Sequence, residues 1–278
     1  MPAGKHAPIM LTHADFFAGL GVFSLAAREL SIDTKLLCEW NEFCQSTLQK
    51  NFPGVPIHSD IANFNPYAYD GAFDIVSAGV PCPPFSRQGQ RKAEQAERDR
   101  FPDFLRVVRG CRPRWVIIEN VPGLLDAPTE PGQPKGSFFR GLLRSFTECG
   151  YVGEWLVLSA AEFGLPHYRS GLFIIAYPHC TVFIEQPSLV EQIRGEAQRT
   201  RTNSAWRGSK SRIAGNHVRL ADGVLIPCGV KSKDSITRRR REALGNTICF
   251  ECAICASQQR FAIAALKRVL YLNSICKC

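Results

Sequence analysis

The sequence of 278 residues has no apolar run long enough to cross a bilayer. Its opening stretch, MPAGKHAPIMLTHADFF, carries neither an apolar signal core nor a cleavage-site pattern. It also contains no internal repeat and no long low-complexity tract. We therefore expect a soluble intracellular protein, located in the cytoplasm, with no membrane partner.

Cysteine, by contrast, is abundant, with 12 residues. In a long intracellular chain such thiols are more often free than paired in disulfides. The spacing Cys249-x-x-Cys252-x-x-Cys255, with Cys276 and Cys278 nearby, has a metal site as one interpretation. It lies in a helical pattern, however, where steps of three stack the thiols on one face, and zinc sites usually place such pairs on turns. We therefore expect packed thiols and no metal.

The positive charge of the chain is concentrated in one stretch. The net charge is +9, and residues 178–241 hold 13 Lys and Arg against 5 Asp and Glu, a net of +8. A basic face of this kind favours a polyanionic partner, because neutralising phosphates releases counterions. The alternative interpretation is a solubilising surface.

Short apolar runs alternate with amphipathic runs in the first 178 residues, and hydrophobic residues make up 45% of the chain. The apolar runs predict strands at MLTHADFF, TKLLCEW, FDIVSAG, RWVIIEN, WLVLSA and GLFIIAY. The amphipathic runs predict helices at GVFSLAAREL, NEFCQSTLQKNF, FPDFLRVVRG and SFFRGLLRSFTECG. This alternation is typical of parallel βαβ units in an α/β sheet that binds ligands beyond the carboxyl ends of its strands.

The character of the chain changes after residue 177. Residues 178–241 are basic, rich in Gly and Ser, and weakly periodic, whereas ALGNTICFECAICASQQRFAIAALKRVLYL returns to an apolar helical pattern. We therefore predict an α/β domain at 10–178, a short basic region at 179–241, and a C-terminal helix within 242–278 that completes the first domain.

The first two predicted strands end in residues suited to a nucleotide. The first runs into DFFAGLGVFSLA, where Gly19-x-Gly21 opens a helix, and glycines there let the backbone approach a ligand closely. The second ends in Glu39, about 20 residues on, where nucleotide-binding sheets place a carboxylate for ribose hydroxyls. Together they favour a nucleoside-containing cofactor. The alternative is a tight turn and a surface Glu.

The next two strand ends carry reactive groups. FDIVSAG runs into Pro81-Cys82-Pro83-Pro84, where prolines stiffen the turn and hold a thiol at the edge of the sheet. WVIIENVPGLL places Glu119 and Asn120 after four apolar residues. The alternatives are a buried cysteine that acts as a small hydrophobe and a turn-stabilising Glu-Asn pair.

Seven segments, in order, resemble the DNA cytosine-5 methyltransferase family of bacteria and phages: DFFAGLGVFSLA, CEWNEFC, SDI, DIVSAGVPCPPFS, RPRWVIIENVPGLL, LPHYRSGLFIIA and ALGNT. The match covers roughly residues 11–178 and 240–270. The resemblance implies a Rossmann-like methyltransferase sheet that depends on S-adenosylmethionine, with a small basic target-recognition insert. It implies methyl transfer to carbon 5 of a flipped cytosine through a covalent cysteine adduct. The setting would be restriction-modification, or an orphan or phage enzyme.

The resemblance also assigns roles to single residues. The catalytic set is Cys82, Glu119 and Arg169. The implied contacts to S-adenosylmethionine are Phe17, Gly19, Gly21, Glu39, Trp40, Asp60, Ile61, Pro81 and Asn246. The implied substrate contacts are Ser86, Gln88, Gly89, Asn120 and Arg169. The expected partners are double-stranded DNA and, in a restriction system, an endonuclease that acts separately, with the protein a monomer at the bacterial nucleoid.

Two departures from the family pattern leave alternatives open. The family's Pro-Gln-x-Arg-x-Arg segment reads Pro-His-Tyr-Arg-Ser-Gly at 166–171, so Gly171 replaces a second arginine that in the family helps to hold the cytosine. Loss of such a charge-assisted hydrogen bond predicts slower catalysis. The basic insert is also short for target recognition. The alternatives are a weakened or inactive DNA-binding relative, and methylation of structured RNA.

Overall fold

The computed structural model describes residues 10–81, 99–159, 170–180, 217–219 and 225–227, with seven helical residues between 262 and 270. Its main feature is a seven-stranded sheet in the order β3-β2-β1-β4-β5-β7-β6. The strands are β1 (Thr12–Phe16), β2 (Asp33–Cys38), β3 (Ile57–His58), β4 (Ile75–Ala78), β5 (Trp115–Asn120), β6 (Tyr151–Ser159) and β7 (Ser170–Pro178). Two further strands, β8 (His217–Arg219) and β9 (Leu225–Pro227), pair with each other.

Helices cover both faces of the main sheet. They are α1 (Val22–Glu29), α2 (Glu42–Asn51), α3 (Phe101–Cys111) and α4 (Ser137–Glu148). Because successive strand residues point to opposite faces, Ile75 packs with residues of α1, while its neighbour Val76 packs with residues of α3 and α4. The architecture is therefore α/β with two hydrophobic layers, as the sequence predicted.

The sheet is mixed rather than wholly parallel. Strands β1 to β5 pair in parallel, but β7 runs antiparallel to both β5 and β6. Only the ten residues 160–169 separate β6 from β7 in the sequence, whereas a parallel pair needs a crossover of about a dozen residues or more. Strand β6 begins at Tyr151, four residues before the predicted WLVLSA segment. The sequence pattern missed these first residues because Gly153 and Glu154 interrupt the apolar run. The two-residue strand β3 was not predicted.

Helical residues near the C-terminus belong to the main core. Ala262, Ala265, Leu266 and Val269 are buried in the same cluster as Leu11 and residues of α1. The division at residues 178 and 242 stays a prediction, because most of the stretch between them lies outside the described residues.

Two predicted absences concern only the described ranges. None of the helices there combines the length and the apolar character that a bilayer crossing demands. The same part of the chain holds no group of three or more His, Cys, Asp or Glu arranged to bind a metal. The cysteine motif at residues 249–255 lies outside it.

Candidate active site

Several predicted site residues lie at one edge of the sheet. Strands β1, β2, β4 and β5 pair in parallel, so their carboxyl ends meet along that edge. Phe17, Glu39 and Gly79 directly follow the first three of these strands, and the fourth ends in Glu119 and Asn120. This is where ligands bind in open α/β sheets.

The turn after β1 has an unusual backbone. Phe17 has φ +51° and Gly19 has φ +55°, and a non-glycine residue in this left-handed region is uncommon and strained. Gly21 has φ +82°, and a Cβ there would lie 2.7 Å from the Phe52 ring and 2.8 Å from Leu48. Glycine at position 21 is thus required for packing against α2, whatever it contributes to a ligand.

Glu39 joins the ends of β1 and β2. Its Oε2 accepts a hydrogen bond of 2.7 Å from Gly19 N, and its Oε1 accepts one of 2.8 Å from Asn41 N. Burial raises the pKa of Glu39, and the backbone hydrogen bonds from Asn41, Gly19 and Trp40 oppose that rise. The neighbouring Trp40 side chain is 77% exposed, leaving an open aromatic surface beside this carboxyl group.

Asp60 and Ile61 form a short turn after β3. Asp60 begins the 3-10 turn Ile61–Asn63, and its Oδ1 accepts a hydrogen bond of 2.9 Å from Ala62 N. Ile61 is buried against the core on the α3 side. Asp60 is only half-buried, so the start of this turn is open to solvent.

Asn120 links β5 to the segment that follows β4. Its Nδ2 donates to Val80 O over 3.0 Å, and its Oδ1 accepts from Val121 N over 2.8 Å. Asn120 is buried, and both ends of its amide are thus engaged by the backbone. The side chain fixes the start of the segment that contains Pro81, which is exposed.

Glu119 is buried beside β7. It pairs in register with Phe173, and a Cβ at Gly171 would lie 3.1 Å from Glu119 Oε1. Gly171 and Phe173 lie on the same face of β7, two residues apart. The position where the family pattern has an arginine therefore directly borders the predicted catalytic acid.

A chain of buried polar groups runs behind this edge, and the sequence did not reveal it. His13 Nδ1 lies 3.0 Å from Thr34 Oγ1, and His13 Nε2 lies 2.8 Å from Ser77 Oγ. Ser77 Oγ donates to Asp15 Oδ1 over 2.7 Å, and Ser24 Oγ donates to Asp15 Oδ2 over 2.8 Å. The chain connects β2, β1, β4 and α1, which holds the strand ends of the site in fixed register.

These hydrogen-bonded polar groups have the residue types of a Ser-His-Asp catalytic triad, but the serine lies between the histidine and the aspartate. When Asp15 is ionised, Ser77 donates its one hydroxyl hydrogen to Asp15, and His13 Nε2 then donates to Ser77 rather than accepting from it. Burial lowers the pKa of His13 to about 3 and raises the pKa of Asp15 to about 7. Ser77 and His13 are both inaccessible to solvent, so the group supports the fold and does not act as a nucleophile.

The remaining predicted residues lie outside the described part of the chain. They are Cys82, Ser86, Gln88, Gly89, Arg169 and Asn246. Their roles stay predictions. Arg106 on α3 was missed by the sequence analysis. It contacts the turn after β3 across more than 40 residues of sequence, and no local pattern signals such a contact.

Comparisons with known proteins find methyltransferases among the relatives of this chain. The curated relatives include the Type II methyltransferase M.NgoMIV of Neisseria gonorrhoeae, which is 32% identical over 170 residues, or 60% of this chain and 52% of that protein. They also include the Type II methyltransferase M.BsuFI of Bacillus subtilis, 32% identical over 61% of this chain and 40% of that protein. The chain thus spans about half the length of the curated relatives it matches.

The fold itself also has a solved counterpart. The crystal structure of the S. pombe Dnmt2 methyltransferase superposes with a TM-score of 0.54 at 16% sequence identity, and covers 95% of this chain and 97% of that chain. Residues 11–217 match the family described as C-5 cytosine-specific DNA methylase. Since this match spans well over half of the sequence, the chain belongs to the C-5 cytosine-specific DNA methylase family.

Proposed function

We propose that this chain transfers a methyl group from S-adenosylmethionine to carbon 5 of a cytosine in double-stranded DNA. The observation that carries the proposal is the hydrogen bond of 3.0 Å from Asn120 Nδ2 to Val80 O. It joins the strand end of the proposed acid, Glu119, to the segment that leads to the proposed nucleophile, Cys82. Cys82 follows Val80 by two residues.

The groups at the carboxyl edge of the sheet suit S-adenosylmethionine. Glu39 offers a carboxylate for ribose hydroxyls, beside the backbone turn at Gly19. Trp40 offers an exposed ring for the adenine, and Asp60 with Ile61 lies at the proposed adenine rim. The bound cofactor supplies an electrophilic methyl group. The other proposed contacts are Phe17, Gly21, Pro81 and Asn246.

The chemistry requires activation of the base, because carbon 5 of cytosine is a poor nucleophile. The Cys82 thiolate forms a bond to ring carbon 6 while Glu119 donates a proton to ring nitrogen 3, so negative charge does not accumulate on the ring. Carbon 5 then uses its own electron pair to form a bond to the methyl group, while the bond between that methyl group and the cofactor sulfur breaks and its electrons stay on the sulfur. A base removes the carbon 5 proton, the electrons of that bond restore the ring double bond, and the sulfur–carbon bond breaks. Cys82 leaves as thiolate, and the proton on nitrogen 3 returns to Glu119.

The cytosine must leave the duplex to reach this edge. We propose that Ser86, Gln88 and Gly89 contact the flipped base as the segment closes over it, and that Arg169 and Asn120 help to hold it. The basic stretch 178–241 supplies phosphate contacts. Kinship with type II methyltransferases supports a setting in which a cognate endonuclease acts separately.

The test uses duplex DNA that contains 5-fluorocytosine. Fluorine at carbon 5 prevents the final elimination, so an active protein with S-adenosylmethionine forms a stable covalent complex with the DNA. We expect Cys82→Ser to abolish trapping, whereas Cys180→Ser, which changes an exposed thiol, leaves it unchanged. Full trapping by Cys82→Ser would contradict the proposed mechanism.

The same assay separates the alternatives. A protein that shifts duplex DNA but neither traps it nor forms 5-methylcytosine is an inactive relative, which the loss of arginine at position 171 favours. A protein that methylates transfer RNA in preference to duplex DNA at equal salt acts on structured RNA. Mass spectrometry of the digested nucleic acid distinguishes these outcomes.

A further inference from the structure

Arg106 makes three hydrogen bonds to one backbone turn. Its Nη1 donates to Phe64 O over 2.6 Å. Its Nη2 donates to Ile61 O over 2.5 Å and to Ala62 O over 3.2 Å. A guanidinium group that donates to several carbonyls at once forms charge-assisted bonds in a fixed planar geometry. Arg106 thus fastens the turn after β3 to helix α3.

The turn is held at both ends by side chains. At its start, Asp60 Oδ1 accepts from Ala62 N, and Asp60 Oδ2 accepts from Asn63 Nδ2 over 3.2 Å. The Ile61 carbonyl accepts from Phe64 N over 3.2 Å. Arg106 adds a second donor to this carbonyl and also donates to the carbonyls of Ala62 and Phe64. The position of Asp60 and Ile61 therefore depends on a residue of another element.

Apolar packing holds this turn at Ile61, which is buried in the core, but not at its polar residues. Phe64 is buried and its ring contacts the Phe16 ring edge-on, with centroids 5.2 Å apart. That contact anchors the residue after the turn, whereas Asp60 is half-buried and Ala62 is exposed. The neighbouring Arg109 of α3 is exposed and donates instead to Cys149 Sγ over 3.5 Å, which makes it a suitable reference position.

We propose that Arg106 is a positioning residue for the adenine end of the cofactor site. It holds the Ile61–Asn63 turn and thereby fixes the positions of Asp60 and Ile61 relative to the carboxyl ends of the strands. The inference rests on the proposed function, in which these two residues border the adenine. It assigns to α3, whose buried residues pack the core, an indirect influence on cofactor affinity.

The experiment measures dissociation constants for S-adenosylhomocysteine and S-inosylhomocysteine by calorimetry, with the full chain. The second ligand differs from the first only at the purine. We expect Arg106→Gln to raise the dissociation constant for S-adenosylhomocysteine about tenfold, the factor that corresponds to losing one charge-assisted hydrogen bond. The ratio of the dissociation constants for S-inosylhomocysteine and S-adenosylhomocysteine should decrease. Arg106→Lys should give dissociation constants between those of the wild type and Arg106→Gln. Arg109→Gln should match the wild type.

Kinetics give a second readout. Removing Arg106 should raise KM for S-adenosylmethionine and leave kcat at saturation within about twofold, because binding is weakened equally in the ground and transition states. An Arg106→Gln dissociation constant equal to that of Arg109→Gln would overturn the inference. So would an equal loss of affinity for both ligands accompanied by a lower melting temperature, which indicates a general structural defect.

The outcomes also separate this inference from the proposed function. A wild-type protein that binds S-adenosylhomocysteine but methylates no DNA would refute the proposed reaction and leave the Arg106 comparison valid. A wild-type protein that binds neither ligand would overturn the Arg106 inference directly. If Arg106→Gln does not fold, the Arg106→Lys variant decides the result.

Discussion

Gly171 lies against the carboxyl group of Glu119, since a Cβ at position 171 would be only 3.1 Å from Glu119 Oε1. The same Cβ would lie 3.1 Å from Phe173 Cε2. Both side chains are buried, so neither moves without disturbing its surroundings. Any side chain at this position therefore acts on the proposed catalytic acid.

Gly171→Ala should lower kcat at least tenfold (about 1.4 kcal/mol), because misplacement of a reacting group by well under 1 Å impairs catalysis. The matched control is Gly153→Ala, whose Cβ would lie 3.1 Å from Ile175 O and so brings equal crowding on the neighbouring strand. Single-turnover methylation measures both. Equal rates for the two variants would show that crowding of the sheet, not of Glu119, is responsible.

Gly171→Arg should be more active than Gly171→Ala. The two variants share the tight Cβ contact, but only arginine supplies a charged donor beside Glu119. The ratio of their rates therefore isolates the value of the guanidinium group that the family pattern has here. A ratio near unity would mean that the missing donor is supplied elsewhere in this protein.

Asn120→Ala should slow covalent trapping about tenfold, because the hydrogen bond to Val80 O no longer fixes the segment before Cys82. The affinity for S-adenosylhomocysteine should change much less than the trapping rate, since Pro81 is the one proposed cofactor residue in this segment. Asn65→Ala is a suitable control, because this exposed asparagine also accepts a backbone hydrogen bond, from Tyr67 N. Trapping rates and calorimetry together check the result, and unchanged trapping would contradict it.

Glu39→Gln should weaken binding of S-adenosylhomocysteine about tenfold. An amide has only one acceptor oxygen, whereas both carboxyl oxygens of Glu39 accept backbone hydrogen bonds, from Gly19 N and Asn41 N. The substitution therefore breaks one of the two contacts that close the cofactor turn. Glu42→Gln, at an exposed position of α2, serves as the control in calorimetry. Equal dissociation constants for the two variants would refute the role of Glu39.

Asp15 and His13 should give opposite pH dependences to the free energy of unfolding. Burial raises the pKa of Asp15 from 3.8 to about 7, so its contribution is present below pH 3.8 and is lost as the pH rises towards 7. Burial lowers the pKa of His13 from 6.5 to about 3, so its contribution is present above pH 6.5 and is lost as the pH falls towards 3. Between these two ordinary pKa values the two effects cancel.

Substituting either residue alone should therefore make the free energy of unfolding depend on pH in this range. Relative to the wild type, Asp15→Asn should gain stability with rising pH across this window by about 1.4 kcal/mol per pH unit, and His13→Gln should lose it at the same rate. Urea unfolding at several pH values measures the differences, in which all other titrating groups cancel. Profiles parallel to that of the wild type would show that these groups titrate normally in the folded protein.

The sequence predicted the elements whose local pattern agrees with their final environment. FDIVSAG and RWVIIEN are buried on both faces in β4 and β5, and a continuous apolar run is the pattern that such strands require. The pattern was insufficient where pairing depends on distant residues, as in the two-residue strand Ile57–His58 and in the antiparallel direction of β7.

The residues of the candidate site likewise divide into those that the sequence predicted and those that it missed. Glu39 and Glu119 were predicted from their place at strand ends, and each stands at the edge where the sequence put it. Asp15 and Arg106 were missed because their roles follow from strand register and from contacts more than 40 residues apart. The close approach of Gly171 to Glu119 follows from the antiparallel pairing of β5 with β7. The sequence predicted a parallel sheet, so this contact was not expected.

The order of the strands affects how the sheet is assembled on the ribosome. Among the described strands β1 is synthesised first, yet its second neighbour in the sheet, β4, begins only at Ile75. A nascent chain that has paired β1 with β2, and β2 with β3, leaves the other side of β1 as an open edge. At that stage Ser77 is not yet in place, and Asp15 is hydrated and negatively charged. Since charge on an open strand opposes association with other chains, we expect Asp15, which is buried in the finished protein, to reduce aggregation of the unfinished one.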